Sequence, residues 1–501
     1  MRSLTCIVLL ASVVFVMLVS GCAGPTRWSR IDPGRLDAPE LPREMRGVWV
    51  ATVANIDWPT EPGLTAGEQQ AEADAILDQA KRLGLNSIIL QVRPHADAMY
   101  ADAREPWSSY LSGTQGEDPG YDPLAYWLEG ARDRGLELHA WINPFRAGHP
   151  AESSELAPSH ISVTDSEIVV EYGEYLWLDP SHPRARAHSL AVVEDLLGRY
   201  DLDGLHLDDY FYPYPIDDTP FPDADRYAAY AEQGGTLDLA GWRRSHIDGF
   251  VRDLSAVVRR TRPDALFGIS PFGIWRPGHP EGIVGFDAYE RLAADARLWL
   301  RAGWLDYASP QLYWKRDSEG QPFEPLLRWW QGENSRDRAV WPGIYLTRVQ
   351  ADGTGWTPEE ILGQLDVLAE RDAGGWLLFS MLGISQDRQG VAERMGEALG
   401  GEPAIVPSSW GASAPGSTRL RAEVVRDGNS VVARWNSRGP TPRLWAVQAR
   451  TGDGWTLRIV PGDESSARFE ASSPLAEPDA IVLTPIAPNR RALPSVAWIR
   501  P

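Results

Sequence analysis

Cysteine is nearly absent from this sequence, and both of its copies lie close to the N-terminus. Cys6 falls inside an apolar run, and Cys22 directly follows the small residues Ser20 and Gly21. Export would remove Cys6 and leave Cys22 as the first residue. The mature chain would then have no thiol for a disulfide, a metal site or a nucleophile, which excludes those classes of protein.

Long apolar runs are also scarce. The longest, Leu4 to Leu18, follows Arg2 and is too short to span a membrane comfortably. It leads to Val19-Ser20-Gly21-Cys22, which resembles a bacterial lipobox. We expect a lipoprotein signal peptide over 1–21, lipid on Cys22 and a flexible tether over 22–42. The protein would be exported and anchored on the periplasmic side of a bacterial membrane; an ordinary signal peptide with an incidental cysteine is the alternative.

Positive charge is in deficit, with 48 Lys and Arg against 69 Asp and Glu and a net charge of -21. This balance argues against nucleic acid or an anionic membrane surface as a partner, so membrane contact is expected through the lipid alone. Tryptophan, in contrast, is abundant at 22 residues. Some of these rings belong to the core, but flat amphipathic rings also bind carbohydrate.

From Arg46 onward, short apolar strands alternate with longer amphipathic helices. The predicted strands are 46–53, 86–92, 136–142, 202–208, 266–271, 304–310, 341–346 and 375–380. The predicted helices are 67–83, 123–134, 184–199, 241–261, 288–302 and 357–372. Eight strands alternating with helices favour an α/β fold of the (β/α)8 TIM barrel type over 43–399. An open doubly wound sheet would need a glycine-rich phosphate loop after its first strand, and Ala54 to Pro59 is not one.

The composition changes near residue 400. Residues 400–418 are rich in Gly, Pro and Ser and indicate a linker. Seven short strands over 419–501 then predict a small β-sandwich of the fibronectin type III kind, with Trp435 in its core. No cluster of catalytic residue types occurs there, so we expect this domain to be dispensable for the chemistry.

The stretch from Asp201 to Pro215, DLDGLHLDDYFYPYP, carries the most chemistry for its length. Because side chains alternate along a strand, His206 and Asp208 point to the same face. Asp208 and Asp209 are followed by an aromatic, proline-set loop, as expected of a site that cleaves sugars. The alternative is that the two acids merely cap a loop by binding its backbone.

In a (β/α)8 barrel the active site lies at the carboxyl ends of the strands. The residues predicted to bind substrate there are polar or aromatic: Arg93, Asp97, His139, Asn143, Arg146, His206, Tyr210, Gln311, Tyr313, Trp314 and Tyr345. We expect the polar members to hold sugar hydroxyls and acetamido groups, and the aromatic members to stack on sugar rings.

Six blocks in order carry a resemblance to a known family. They are REMRGVWVATVANIDWPT, QVRPHADAMY, HAWINPFR, DGLHLDDYFYPYP, GISPFGIWR and PQLYW. Over about Arg43 to Leu399 the chain resembles the bacterial glycosyl-hydrolase-like 10 family. The resemblance implies a TIM-barrel glycoside hydrolase, commonly a lipoprotein, that needs no cofactor. A member of that family cuts peptidoglycan strands stripped of their peptides, which suggests the same class of substrate here.

The catalytic carboxylates are only partly determined by these patterns. The fourth strand is similar to that of α-amylase-type barrels, which implies that Asp208 is the nucleophile or general base. The second carboxylate remains open among Asp209, Asp306 and Asp97. A metal-dependent hydrolase such as a deacetylase, built from His139, His206 and Asp208, is one alternative, although the sequence has neither HExxH nor an HxH pair after the first strand. A non-catalytic glycan-binding anchor is the other; no metal is expected.

Overall fold

The computed structural model describes residues 28–500 except 153, 218, 402, 408–418, 453 and 471–476. Cys22, the signal segment and most of the predicted linker lie outside the described residues. Among the helices that are described, none has the length and apolar character needed to cross a membrane.

One parallel sheet forms the centre of the larger part of the chain. Its strands, in chain order, are Met45–Val50, Ser87–Arg93, Glu137–Ile142, Gly204–Leu207, Leu266–Ile269, Tyr307–Ala308, Ala339–Val340, Gly343–Ile344 and Gly375–Leu378. Each predicted strand position contains or adjoins one of these segments. The strands are buried on both faces, as expected for a parallel sheet covered by helices.

This sheet curls round until its two edges meet. Ala339–Val340 pairs with Tyr307–Ala308, and Gly343–Ile344 pairs with Gly375–Leu378 at the other edge. Only Trp341 and Pro342 separate the two edge strands, so one continuous stretch of chain forms both edges of the sheet. We refer to this unit as the curled sheet.

Helices cover the outside of the curled sheet. Their bounds are Ala66–Arg82, Ser109–Ser112, Pro123–Asp133, Ile161–Thr164, Pro183–Arg199, Ala224–Glu232, Leu239–Thr261, Ala288–Arg291, Ala296–Ala302, Phe323–Glu333, Pro358–Glu370, Met381–Ser385 and Val391–Ala398. The first begins at a capping box, in which Thr65 and Glu68 each bond the other's backbone N–H. It packs on the sheet through an apolar face that includes Ile76 and Leu77.

The helices differ from the prediction in two ways. The predicted helix over 288–302 is broken in two, because Ala293 has a positive φ of 54° and Asp295 caps a new helix by accepting from the Leu298 N–H. The helices Ala224–Glu232, Phe323–Glu333 and Val391–Ala398 were not predicted. A small antiparallel sheet of Arg146–Gly148, Val169–Tyr172 and Tyr175–Leu178, inserted after the third strand, was not predicted either.

Two antiparallel sheets form the C-terminal domain. All seven predicted strands are present, as Arg419–Asp427, Ser430–Arg438, Leu444–Thr451, Gly454–Pro461, Ser466–Glu470, Ala480–Ile486 and Val496–Ile499. The sheets share one apolar core, in which the rings of Trp435 and Trp445 lie 5.3 Å apart. An eighth strand, Ser29–Ile31, pairs with Val496–Ile499. This part of the predicted tether is therefore an edge strand of the sandwich.

The sandwich covers the end of the curled sheet at which the strands begin. Arg490 lies on a sandwich loop, and its fully buried guanidinium donates to both carboxylate oxygens of Glu137, the first residue of the third strand. It also donates to the backbone oxygens of Asp203 and Asp264, at 2.8 and 2.9 Å. Arg443 adds an ion pair with Asp203 at 2.7 Å. This buried contact links the sandwich to the stability of the curled sheet, and the expectation that the sandwich is dispensable for the chemistry stays a prediction.

Candidate active site

Two glycines allow the interior of the curled sheet to hold large polar rings. A Cβ on Gly204 would lie 2.4 Å from the ring of His139, and one on Gly268 would lie 2.0 Å from the ring of Tyr307. His206 follows in the same strand as Gly204 and points inward with these rings, while Leu205 and Leu207 pack toward the helices. The strand then ends, and Asp208 and Asp209 lie at its carboxyl end.

Asp208 is held by hydrogen bonds from three donors. Its Oδ2 accepts from the indole N–H of Trp141 at 3.2 Å and from the Asn143 amide, and its Oδ1 accepts from the Tyr210 backbone N–H at 3.2 Å. Burial raises the pKa of the Asp208 carboxyl, and the Arg146 guanidinium opposes this most strongly among the polar neighbours. The three donors and Arg146 thus offset part of the cost of burying the Asp208 anion.

Asp209 has a different environment. It accepts hydrogen bonds from the Tyr214 hydroxyl and from Gln311. Burial and, next, the charge of Asp208 raise the pKa of Asp209 to about 7, and the two hydrogen bonds only partly offset this. When the pair carries a single proton, the proton belongs on Asp209, because Arg146 and three donors favour the charge on Asp208.

Aromatic rings surround the two acids. The Arg146 guanidinium lies 5.3 Å from the ring centre of Tyr210. The ring centres of Tyr210 and Tyr214 are 5.5 Å apart. On another side, the rings of Tyr313 and Tyr345 are 4.6 Å apart. Five of the predicted substrate-binding residues are only half-buried: Tyr210, Gln311, Tyr313, Trp314 and Tyr345. They leave ring faces and an amide accessible at the rim.

The two predicted histidines, His139 and His206, do not reach the rim, because both belong to a buried chain of hydrogen bonds inside the curled sheet. The indole of Trp49 can only donate, so His206 Nε2 accepts from it at 3.1 Å. His206 Nδ1–H then donates to the Tyr307 hydroxyl at 2.9 Å, and this hydroxyl is hydrogen-bonded to His139 Nδ1 at 3.1 Å. His139 Nε2–H donates to Glu137 at 3.3 Å.

This chain orients both imidazoles and connects them to the sandwich through Glu137 and Arg490. Burial, and then His139, lower the pKa of His206 well below its usual value. Because every ring nitrogen of the two histidines has a hydrogen-bond partner, we correct their assignment as sugar ligands. The same contacts contradict a metal site built from His139, His206 and Asp208. More generally, the described part of the chain brings together no group of three or more His, Cys, Asp or Glu residues suited to a metal ion.

Asp306 lies at the wrong end of the sheet for catalysis. Its Oδ2 accepts from the Phe267 backbone N–H at 2.9 Å, and Arg338 lies 3.8 Å away. It directly precedes the strand Tyr307–Ala308, so it lies where that strand begins, on the side of the sandwich. We therefore remove Asp306 from the candidate catalytic residues.

The residues predicted after the second strand form a layer behind the acids. Arg93 is fully buried and pairs with Glu105, at 2.5 Å. Asp97 is fully buried as well and accepts from the His95 backbone N–H at 3.0 Å, while Arg146 bridges this layer to the rim by donating to Pro94 O and to the Asn143 side chain. Arg93 and Asp97 are therefore buried beneath the rim, where solvent does not reach them, and they are not positioned to bind substrate directly.

Two residues of the site were missed from the sequence. Trp141 lies two positions after His139 and two before Asn143 in the chain, so alternation along the strand places all three on one face and was a usable signal. Tyr214 follows Asp209 by five residues in a loop, and no periodicity predicts that its hydroxyl turns back to the acid.

A buried pair of acids at the carboxyl ends of a curled parallel sheet, surrounded by aromatic rings, defines an α/β protein with a glycosidase-type site. The glycosyl hydrolase-like 10 family profile matches residues 44–351, and the chain belongs to this family. It is 36% identical to the glycosyl hydrolase YngK of Bacillus subtilis over 375 residues, 73% of each chain.

One further relative and one solved structure show lower sequence identity. The chain is 31% identical to the glycosyl hydrolase DigH of Escherichia coli K12 over 344 residues, which is 64% of this chain and 77% of that protein. The glycoside hydrolase domain of PgaB (BpsB) from Bordetella bronchiseptica aligns with a TM-score of 0.49 and 16% identity, over 71% of this chain and 99% of that domain.

Proposed function

We propose that the protein is a glycoside hydrolase that cleaves O-glycosidic bonds in a glycan of the bacterial envelope, with peptide-stripped peptidoglycan strands as its substrate. The observation that carries this proposal is the unequal environment of the two acids. Asp209 has a pKa raised to about 7 by burial and by Asp208, whereas Asp208 is held by three donors and faces Arg146. Glycoside cleavage uses one protonated acid and one ionised carboxylate, and the two environments favour this division of roles.

The rim supports a saccharide as the substrate. Tyr313, Trp314 and Tyr345 present half-buried rings, and apolar ring faces of this kind stack on the C–H faces of pyranoses. Gln311 and Tyr210 supply polar groups beside the acids. The relatives named as glycosyl hydrolases agree with this chemistry.

We further propose that the curled sheet is a closed barrel and that the C-terminal domain is a fibronectin type III-like sandwich. The meeting of both sheet edges at residues 339–344 supports a closed (β/α)8 barrel. The two packed antiparallel sheets, with Trp435 in their core, support a sandwich of the fibronectin type III kind.

The location is also a proposal. We infer that the protein is exported and anchored through lipid on Cys22, on the periplasmic side of a bacterial membrane. Trp28 follows Cys22 by six positions and leads directly into the edge strand of the sandwich. Six residues span at most roughly 20 Å, so the sandwich would lie next to the membrane and the rim would face away from it.

The proposal is tested by incubating the full chain with amidase-stripped glycan strands and analysing the products by mass spectrometry. We expect shortened saccharides from the wild type and from Asp317→Asn, a matched control on an exposed loop after the sixth strand. Asp209→Asn should lower turnover by at least about 10²-fold, since it removes the proton donor. Equal turnover by Asp209→Asn and the control would contradict the proposed role of the pair, and tight binding without products from the wild type would favour a glycan-binding anchor.

A further inference from the structure

Asp208 and Asp209 are the only acids that directly follow any strand of the curled sheet. Among the three residues after each of the other strands there is no Asp or Glu. The next acids along two of those loops, Asp57 and Asp97, are buried and already bound. Asp57 accepts from the backbone N–H groups of Ala51 and Leu382 at 2.7 and 2.6 Å. The strand ends therefore supply carboxyl groups from one position of the rim alone.

This arrangement differs from what the two standard glycosidase mechanisms require. Both use one carboxyl group to protonate the leaving oxygen and a second to attack, or to activate water, from the opposite face of the sugar. The other side chains that the strand ends place around the acids are Gln311, Tyr313 and Tyr345, and none of them is a carboxyl group. Burial, and next Asp209, raise the pKa of Tyr313 well above its usual value, which disfavours the phenolate as an attacking group.

Asp208 is also poorly suited to attack. Both lone-pair positions on its Oδ2 are taken by Trp141 and Asn143, and its Oδ1 accepts from the Tyr210 N–H. A carboxylate fixed in this way can accept one further N–H and can stabilise a nearby cation, but it is held back from forming a bond to carbon. Its remaining lone pair is suited to an amide of the substrate.

We propose, building on the glycosidase function above, that the nucleophile is the substrate's own 2-acetamido group and that the enzyme cleaves β-linked 2-acetamido-2-deoxy sugars. Asp209 is the acid and then the base. Asp208 accepts the acetamido N–H and stabilises the positive charge that develops on that group.

In the first step the acetamido carbonyl oxygen forms a bond to C1 as the bond from C1 to the leaving oxygen breaks. Asp209 transfers its proton to the leaving oxygen, which gives an alcohol, an oxazolinium ion and the Asp209 carboxylate. In the second step water attacks C1, the oxazolinium ring opens to restore the acetamide, and Asp209 takes a proton from the water. C1 keeps its β configuration, and no metal or redox partner is consumed.

The first test changes only the acyl group on nitrogen. Amidase-stripped strands are chemically de-N-acetylated and then re-acylated with either acetyl or trifluoroacetyl groups. We expect the full chain to cleave the re-acetylated strands and to lose at least roughly 10³-fold in kcat on the trifluoroacetylated strands, since an oriented internal nucleophile has an effective concentration of about 10⁵ M or more. Equal kcat on both polymers would overturn the inference and leave the glycosidase function intact, whereas no cleavage of re-acetylated strands would remove both.

The second test assigns the role of Asp208 directly. Asp208→Ala and Asp209→Ala are each incubated with re-acetylated strands and azide, and the anomeric configuration of any glycosyl azide is determined by NMR. We expect Asp209→Ala to give the retained β-azide and Asp208→Ala to give no inverted product. An inverted α-azide from Asp208→Ala would identify this residue as the attacking group and refute the inference.

Discussion

Replacement of Arg490 by Met removes the cation that the sandwich inserts into the base of the curled sheet. The two side chains are 1% and 3% exposed, so Glu137 is left charged, buried and bonded only to His139 among its present side-chain partners. Breaking a buried ion pair in this way costs about 3–5 kcal/mol of unfolding free energy. We expect Arg490→Met to be destabilised by this amount at pH 7, in urea unfolding followed by tryptophan fluorescence.

The matched control is Arg450→Met in the same domain. Arg450 also pairs with acids, Asp479 and Asp37, but those carboxylates are 34% and 79% exposed. A pair of this kind contributes about 0–1 kcal/mol. If Arg490→Met were no less stable than Arg450→Met, the buried contact would not carry the energy that we assign to it.

A second variant separates lost charge from lost packing. Glu137→Gln keeps an oxygen to accept from His139 but removes the charge that Arg490 neutralises. We therefore expect Arg490→Met with Glu137→Gln to be more stable than Arg490→Met alone, by at least about 1 kcal/mol. A double variant as unstable as the single one would attribute the loss to packing.

The effect should depend on pH in a defined direction. Burial alone would raise the pKa of Glu137, but Arg490 and His139 lower it to about 2, below the value of about 4.3 in an unfolded chain. The stabilisation is thus present above about pH 4.3 and is lost as the pH falls toward 2. In Arg490→Met the effect of burial dominates, so the pKa of Glu137 rises and this carboxylate takes up a proton more readily. The difference in unfolding free energy between wild type and Arg490→Met should therefore become smaller from pH 7 to pH 5.

Three further predictions concern the acids, the anchor and the domain boundary. The value of kcat/KM should fall as the pH rises through about 7, where Asp209 loses its proton. Tyr214→Phe should move this fall to higher pH, because the Tyr214 hydrogen bond lowers the pKa of Asp209 and its loss raises that pKa. An unchanged pH dependence in Tyr214→Phe would exclude Asp209 as the titrating group. Cys22→Ala should leave the membrane fraction, and complete retention there would contradict lipidation. A chain that ends at Gly400 should melt below the full-length protein, because it lacks Arg490, and equal melting temperatures would show that the sandwich adds no stability.

The sequence patterns predicted the elements of this fold better than the roles of its polar side chains. Alternation of apolar strands and amphipathic helices is a local signal, so strands such as Glu137–Ile142 and helices such as Leu239–Thr261 fell within one or two residues of their predicted bounds. Whether a polar residue lies at the rim or in the interior depends on its depth along the strand. His139 and His206 precede the ends of their strands, and in a curled sheet those positions face inward.

Asp306 and Arg490 show what no local pattern could supply. Asp306 precedes its strand, but the prediction began that strand at residue 304 and so assigned Asp306 to its interior. Arg490 lies in a loop of a domain with no catalytic cluster, and its partner is 353 positions away in the sequence. Only the packing of the sandwich against the curled sheet makes this arginine part of the polar interior.

The hydrogen-bond chain inside the curled sheet predicts that the two domains depend on each other for stability. Trp49 can only donate and the Glu137 carboxylate can only accept, so the imidazoles bonded to them, His206 and His139, each have one allowed ring orientation. A neutral residue at 137 would relax that constraint, and a charged one requires a cation. A member of this family that keeps glutamate at this position but lacks the sandwich must therefore supply another buried cation at the base of its sheet. A family member that has neither the sandwich nor such a cation should carry an uncharged residue at the position of Glu137.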